Sequence, residues 1–417
     1  MPKIELLAPV GSFASLQAAI KAGCDSVYFG VHQLHMRARS AHNFSLEELT
    51  EVVKICKKAK VKTHITLNCL LYDHDLILMR KIIDNAKSKG VDALIVQDAA
   101  AISYAQEIEM QIHGSTQLSI SNFESLKFYA KYFDTIVLAR ELDLKTIKYI
   151  CNKIKEEQIK GPSGKLVKIE IFGHGALCIA QSGRCQMSIL QANASAQRGA
   201  CLHECRKKYR IIEDETGKEL MMDNEFIMSP KDLCTLPFLD QVVDTGISVL
   251  KIEGRGRSAD YVDTVIRVYR QALDSIEQEK FSQHKVDKWM KELEKVYNRG
   301  LCDGYYLGKP LPDFSCDSGN KSSEEKTYIG QIQHYYDKAK IAEINVSAHS
   351  LAKGDRIVII GNTTGVIYSQ VESMMERDKF VEKSGKSSLI TIPLDKKVRH
   401  NDKVYVVRER KILNSKF

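Results

Sequence analysis

The chain has 417 residues, of which 44% are hydrophobic and 27% charged, and its net charge is +8. That composition describes a globular protein long enough for one large domain and a smaller one. No run approaches the roughly eighteen apolar residues of a membrane-crossing helix, and "MPKIELLAPVGS" has no basic segment leading into an apolar one; the expectation is a cytoplasmic protein with no membrane partner.

From the N-terminus, short β-branched runs alternate with stretches of helical period. The runs are "KIELLAP", "DSVYFGV", "KTHITLN", "DALIVQD", "MQIHGST", "DTIVLAR", "KIEIFGH" and "SVLKIEG". Between most of them lie amphipathic segments such as "SLEELTEVVKICKKAK" and "DLKTIKYICNKIKEEQ". Ser45 with Glu48, and Asp143, stand where helix N-caps belong. Near-continuous apolar strands alternating with helices predict a parallel sheet covered by helices. Eight such units over about 270 residues predict an α/β fold of the (β/α)8, TIM-barrel type. Strand seven is expected at Lys168–Gly173 and strand eight at Ser248–Gly254, with a cysteine-rich insertion between them at about 174–247. This barrel domain is expected to span 1–311, with a charged helical stretch over 280–311.

"PDFSCDSGNKSSEEK" is rich in turn formers, which predicts a linker over 312–326. Short strands with turn signals follow, predicting a small all-β barrel domain over 327–417. From Lys326 onward there are 17 Lys and Arg against 10 Asp and Glu, whereas the preceding residues are almost neutral. The tail domain therefore reads either as a surface for a polyanion or as a solvated basic face.

Eleven cysteines in a reducing compartment point away from disulfides and toward metal binding or catalysis where they cluster. Cys178, Cys185, Cys201 and Cys205 follow one another at intervals of seven, sixteen and four, and Cys234 comes later in "SPKDLC". These are not the two tight knuckles of a zinc ribbon. The spacing suits an iron–sulfur cluster whose four thiolates are gathered by a folded scaffold. Buried, inert thiols are the alternative, and that reading suits Cys24, Cys56, Cys69 and Cys151 within regular elements. A third option is a Cys178 nucleophile beside His174, but no zinc-protease helix or Gly-x-Ser-x-Gly elbow occurs.

The pattern E-x-F-x-x-G-A-L-C-x-x-x-x-G-R-C-x-M-S, from Glu170 to Ser188, resembles the signature of the collagenase-like peptidase family of unknown catalytic type. "LLAPVGSFASLQAAIKAGCDSVYFG", "SPKDLC" and "KIEGRGRS" resemble that family too, so the likeness covers nearly the whole chain. Its members include prephenate-dependent tRNA hydroxylation proteins, a ribosomal RNA cytidine hydroxylation protein and an oxygen-independent ubiquinone hydroxylation pair, all carrying a 4Fe–4S cluster. The resemblance implies cluster ligands Cys178, Cys185, Cys201 and Cys234, with Cys205 as the substitute for Cys201. It is strongest toward the tRNA branch, and implies prephenate-dependent hydroxylation of wobble uridine to 5-hydroxyuridine, with tRNA and a small dicarboxylate as partners. Proteolysis, as the family's name suggests, is the alternative reading. Ribosomal RNA hydroxylation, or an RNA-binding accessory role with a structural cluster, is a further one.

In such barrels chemistry sits at the C-terminal strand ends. Those ends present His35, Arg37 and Arg39; Asn68; Gln97 and Asp98; Ser115, Thr116 and Gln117; Arg140 and Glu141; and Glu253. Arg37, Arg39 and Arg140, with Arg255 and Arg257 of "GRGRSA", are candidates for binding the carboxylates of a co-substrate or an RNA phosphate. Glu253, Asp98, His35 and His174 are the acid–base candidates. "RKKYR", Arg206 to Arg210, is a candidate phosphate contact beside the cysteines, while a flipped base enters the mouth.

Overall fold

A computed structural model describes residues 3–219, 226–309, 313–315 and 319–410. Its first part is a closed barrel. Strands β1 (Glu5–Pro9), β2 (Ser26–Gly30), β3 (Lys62–Leu67), β4 (Ala93–Val96), β5 (Ile112–Gly114), β6 (Thr135–Val137) and β7 (Lys168–Ala176) pair in parallel in chain order. The helices between them are α1 (Phe13–Lys21), α2 (Leu49–Lys58), α3 (Leu76–Lys89), α4 (Ala99–Glu107), α5 (Phe123–Ala130) and α6 (Leu144–Glu156).

The cysteine-rich insertion leaves the end of β7, forms α7 (Met187–Ala192), and returns through β8 (Asp232–Cys234) and α8 (Leu239–Asp244). The eighth barrel strand is β9 (Val249–Ile252), which pairs in parallel with both β7 and β1 and closes the ring. Helices α9 (Ala259–Glu277) and α10 (Gln283–Lys295) and the short β10 (Leu301–Cys302) complete this part. β7 runs three residues beyond the expected strand. Its end pairs antiparallel with β8, which in turn pairs with β10, so the insertion is tied to the barrel rim by a small sheet of its own.

Local chemistry explains where the helices start and stop. Ser12 and Ser15 form a reciprocal capping box on α1, and Asp98, Asn122 and Asp143 each accept a backbone N–H at the start of α4, α5 and α6. Ser45 and Glu48 exchange the reciprocal bonds expected of a cap, but they hold the turn before α2, which begins at Leu49.

The C-terminal part is all β, as expected, and forms one eight-stranded antiparallel sheet. Its strands are β11 (Glu324–Tyr336), β12 (Ile341–Val346), β13 (Arg356–Gly361), β14 (Gly365–Gln370), β15 (Met375–Glu376), β16 (Lys379–Phe380), β17 (Ser388–Pro393) and β18 (Lys403–Glu409). Their order is β14-β13-β18-β11-β12-β17-β15-β16, around a core that includes Ile332, Ile344, Ile359 and Ile390. The sheet docks on the barrel through α1 and α9. Ile360 and Val366 pack on Ala14, Ala18 and Ala259, Lys21 Nζ reaches Thr364 O at 2.7 Å, and Lys326 pairs with Asp260. Gly365 is required at this seam: its φ is +67°, and a Cβ there would stand 3.2 Å from Ala18 N.

Candidate active site

The C-terminal ends of the barrel strands and the insertion enclose two adjoining cavities of about 140 Å³ each. Arg37, Arg140, Cys178, Cys201, Cys205 and Glu253 line both. Cys185, Arg255, Lys251, Tyr28, Phe172, Asn68 and Gln117 face the first, and His203, Arg206, Arg257 and Arg299 the second.

Glu253 is the electrostatic centre. Burial alone would raise its carboxyl pKa, but Arg37, Arg257, Arg140 and Arg255 outweigh burial and hold it down at about 2. It is an anion at any physiological pH, able to orient a cation but too weak a base to take up a proton readily and no resting acid. Arg37 Nη2 donates to its Oε1 at 3.2 Å, and Ala176 N to its Oε2 at 3.4 Å. Arg37 Nη1 lies 2.8 Å from His203 Nε2. Burial and the Arg37 charge hold that imidazole at about 4, so it is neutral and accepts. Arg255 donates to Thr66 Oγ1 at 2.7 Å, and burial lowers its guanidinium to about 10. Arg140 Cζ stands over Phe172, 4.3 Å from the ring centroid, and its Nε and Nη2 are buried without a hydrogen-bond partner. A buried guanidinium with unspent donors beside open space is built for an anion.

At the floor of the first cavity Lys251 Nζ meets Glu170 Oε1 at 2.7 Å, both almost fully buried, and sits over the Tyr28 ring. Burial lowers the lysine's pKa and raises the glutamate's, with each partner offsetting the other's shift. Spacing along the chain did not mark this pair. The signal available was a lone acid in "KIEIF" and a lone lysine in "SVLKIEG", charges inside otherwise apolar strands.

Several expected site residues take other places. Asp98 is spent as the N-cap of α4 and as acceptor from Leu71 N, and it lines neither cavity. His35 is fully buried outside both cavities, with Nδ1 3.2 Å from Arg255 Nη1. Burial and that guanidinium hold it at about 2, so the ring stays neutral, and its Nδ1 accepts from Arg255 and wedges that side chain in place. His174 is buried and neutral as well, 3.4 Å from Tyr269 OH. Arg39 is exposed and faces a separate outer recess beside Arg198. Arg257 stacks on Tyr297 at 3.6 Å and reaches only the second cavity. Arg206 is tied to Ser229 Oγ at 3.0 Å and to the carbonyls of Pro230 and Leu177, so it braces the insertion.

The cysteines separate into two groups. Cys178, Cys185, Cys201 and Cys205 are half-buried, unbonded to one another and share the first cavity. The Cys205 thiol is pushed up to about 11, by burial first, with Cys178, Cys201 and Cys185 acting in the same direction. Cys205 and Cys201 both line this cavity. Cys234 is elsewhere. It ends β8 with its thiol in the core, 3.8 Å from both Tyr269 OH and Met290 Sδ, because the alternation of the short strand turns it away from the cavity. Four thiols lining one cavity fit, in donor chemistry, the four-thiolate ligation of an iron–sulfur cluster. Among the described residues, no three His, Cys, Asp or Glu side chains are already drawn together as a metal-ligand group.

The family model described as peptidase family U32 matches residues 11–314. The chain belongs to peptidase family U32. Among U32 relatives, the "Collagenase" of Porphyromonas gingivalis is 45% identical over 401 residues, covering 96% of this chain and 97% of that one. "tRNA hydroxylation protein P1" of Bacillus subtilis is 28% identical, covering 95% and 93%. The 23S rRNA 5-hydroxycytidine synthase of Escherichia coli is 33% identical, covering 72% of this chain and 45% of its own length. U32 relatives thus carry the names of peptidases and of RNA-hydroxylating enzymes. Among the described residues, no helix is long and apolar enough to cross a membrane.

Proposed function

We propose that this protein is an iron–sulfur RNA-modifying enzyme that replaces C5–H of a tRNA wobble uridine by C5–OH, with prephenate as the hydroxyl donor. The observation that carries this reading is the meeting, in one cavity, of four cysteines with Arg37, Arg140, Arg255 and Glu253. Cys178, Cys185, Cys201 and Cys205 would hold a 4Fe–4S cluster, which supplies one-electron chemistry when bound. The unspent donors of Arg140 suit one carboxylate of a dicarboxylate, and Arg37, already held by Glu253, is placed to take the other. Glu253, an anion among guanidiniums, holds Arg37 in place and balances the positive charge of the site. The tRNA and ribosomal RNA hydroxylation relatives support the substrate class. The basic C-terminal sheet supports contact with a phosphate backbone.

Peptidase chemistry draws support from the name of the Porphyromonas relative. Against it, no serine, threonine or cysteine of the cavity is hydrogen-bonded to a histidine among the described residues. The deciding experiment is anaerobic purification followed by nucleoside mass spectrometry of tRNA incubated with the protein and prephenate. A brown protein with about four irons per chain and prephenate-dependent hydroxyuridine is the expected result. A colourless protein that cleaves collagen peptides and leaves tRNA unchanged overturns the proposal.

A further inference from the structure

The cavity has one amide whose orientation is dictated by a backbone N–H. Met36 N donates to Asn68 Oδ1 at 3.3 Å. A backbone N–H can only donate, so this contact fixes which end of the Asn68 amide is oxygen. Gln97 Nε2 donates to the Asn68 backbone carbonyl at 3.0 Å, which anchors the residue, and Asn68 itself is only 7% exposed. Its Nδ2 must then point the other way, where it donates to Ser115 Oγ at 3.0 Å and to Gln117 Oε1 at 2.9 Å. Both Asn68 hydrogens are spent. Ser115, fully buried, passes its own hydrogen to the same Gln117 oxygen.

Two donors converging on Gln117 Oε1 settle the second amide in turn. Its oxygen is saturated and its NH2 has no partner among the described residues. Gln117 lines the first cavity, along with Cys178, Arg140 and Glu253. The relay Met36–Asn68–Ser115–Gln117 thus presents a fixed N–H donor to whatever occupies that cavity. Flipping Gln117 to offer an acceptor would set its NH2 against the donors of Asn68 and Ser115.

We infer that Gln117 is a specificity-determining residue that donates to the C4 carbonyl oxygen of a uracil in the cavity. The inference rests on the RNA-hydroxylation reading. Uracil carries a carbonyl at C4 where cytosine carries an amino donor, and a fixed N–H therefore accepts the first and repels the second. Preference between these pyrimidines then comes from the barrel, independently of how the rest of the RNA is held.

The test uses the full-length, iron-loaded protein and two anticodon-arm RNAs that differ only in U or C at the target position. Hydroxylated nucleoside is read by mass spectrometry, and the dissociation constant of each RNA by filter binding without co-substrate. Wild-type protein is expected to favour the U-containing RNA by about 10- to 100-fold. Gln117→Glu, which replaces the donor by an acceptor, narrows or inverts that ratio. Gln117→Met, which carries neither, lowers turnover of the U RNA and narrows the ratio; iron content and circular dichroism show that each variant folds. Variants that lower both RNAs equally, or leave the ratio unchanged, overturn the assignment. Wild-type protein that hydroxylates neither RNA overturns the RNA reading itself, a result seen before any variant is made.

Discussion

The mouth of the barrel and the interior just below it are both polar, but they treat polarity in opposite ways. At the mouth, Arg140 keeps two guanidinium nitrogens without partners, Gln117 keeps its amide donors, and four thiols face open space. Below, Glu170 and Lys251 close on each other, and Cys234 packs against Tyr269 and Met290. Polar groups left unspent beside a cavity are available to a ligand. Polar groups sealed in a core contribute to stability or endanger it. The contrast predicts that substitutions at the mouth change function with little change in stability, and that substitutions below do the reverse.

The largest effect is expected from the cysteines. Cys178→Ser and Cys201→Ser should lose iron and hydroxylation together, measured by iron analysis and nucleoside mass spectrometry. Cys234→Ser should keep its iron and lose only about 1–3 kcal/mol of stability in urea, the effect of a hydroxyl in an apolar niche. Equal loss of iron from Cys234→Ser would erase the distinction between mouth and interior.

Next in size is the sealed pair. Lys251→Met leaves a buried carboxylate without its cation and should destabilise the protein by about 3–5 kcal/mol, whereas Lys251→Met with Glu170→Leu should recover most of that loss. A double variant no more stable than the single would mean the pair does more than neutralise itself.

Arg140→Met tests the mouth in the converse sense. Unfolding midpoints should stay within about 0.5 kcal/mol of wild type, while the KM for the dicarboxylate rises about 10- to 100-fold, the loss of one charge-assisted contact. A large destabilisation would mark Arg140 as structural.

The smallest effect is a pH slope. His64 lies inside the barrel beside His113, its Nδ1 unpartnered, and burial lowers its pKa from 6.5 to about 3. Between those values the unfolded chain binds a proton that the folded one refuses. The stabilising contribution is therefore complete above about pH 6.5 and is lost as the pH falls toward 3, at up to about 1.4 kcal/mol per pH unit. His64→Phe should flatten the acid limb of the stability profile by up to one proton. An unchanged slope would show that His64 is charged in the fold.

The fold was legible because its signals are local. Apolar, β-branched runs such as "DALIVQD" between turn signals read as strands covered on both faces, and Asp143 marks a helix start within a few residues of the bonds it makes. Asp98 shows where that reasoning stops. A carboxylate at a strand end reads equally well as a base or a cap, and only the N–H groups of Ala100 and Leu71 decide between them. The arginines divide for the same reason: Arg37 and Arg39 are two residues apart, yet one meets Glu253 and the other faces an outer recess.

Sequence alone determined the barrel, the position of its cysteine-rich insertion, the strand-rich tail and the polar residues at the strand ends. Those features follow from periodicity and turn chemistry among near neighbours. Tertiary structure decided which groups share a cavity. It placed Cys205 with Cys178, Cys185 and Cys201, turned Cys234 inward, and joined Glu170 to Lys251 from strands far apart in the chain. Convergence depends on the path of a long irregular segment and on which face of a strand each side chain takes, and residue spacing encodes neither.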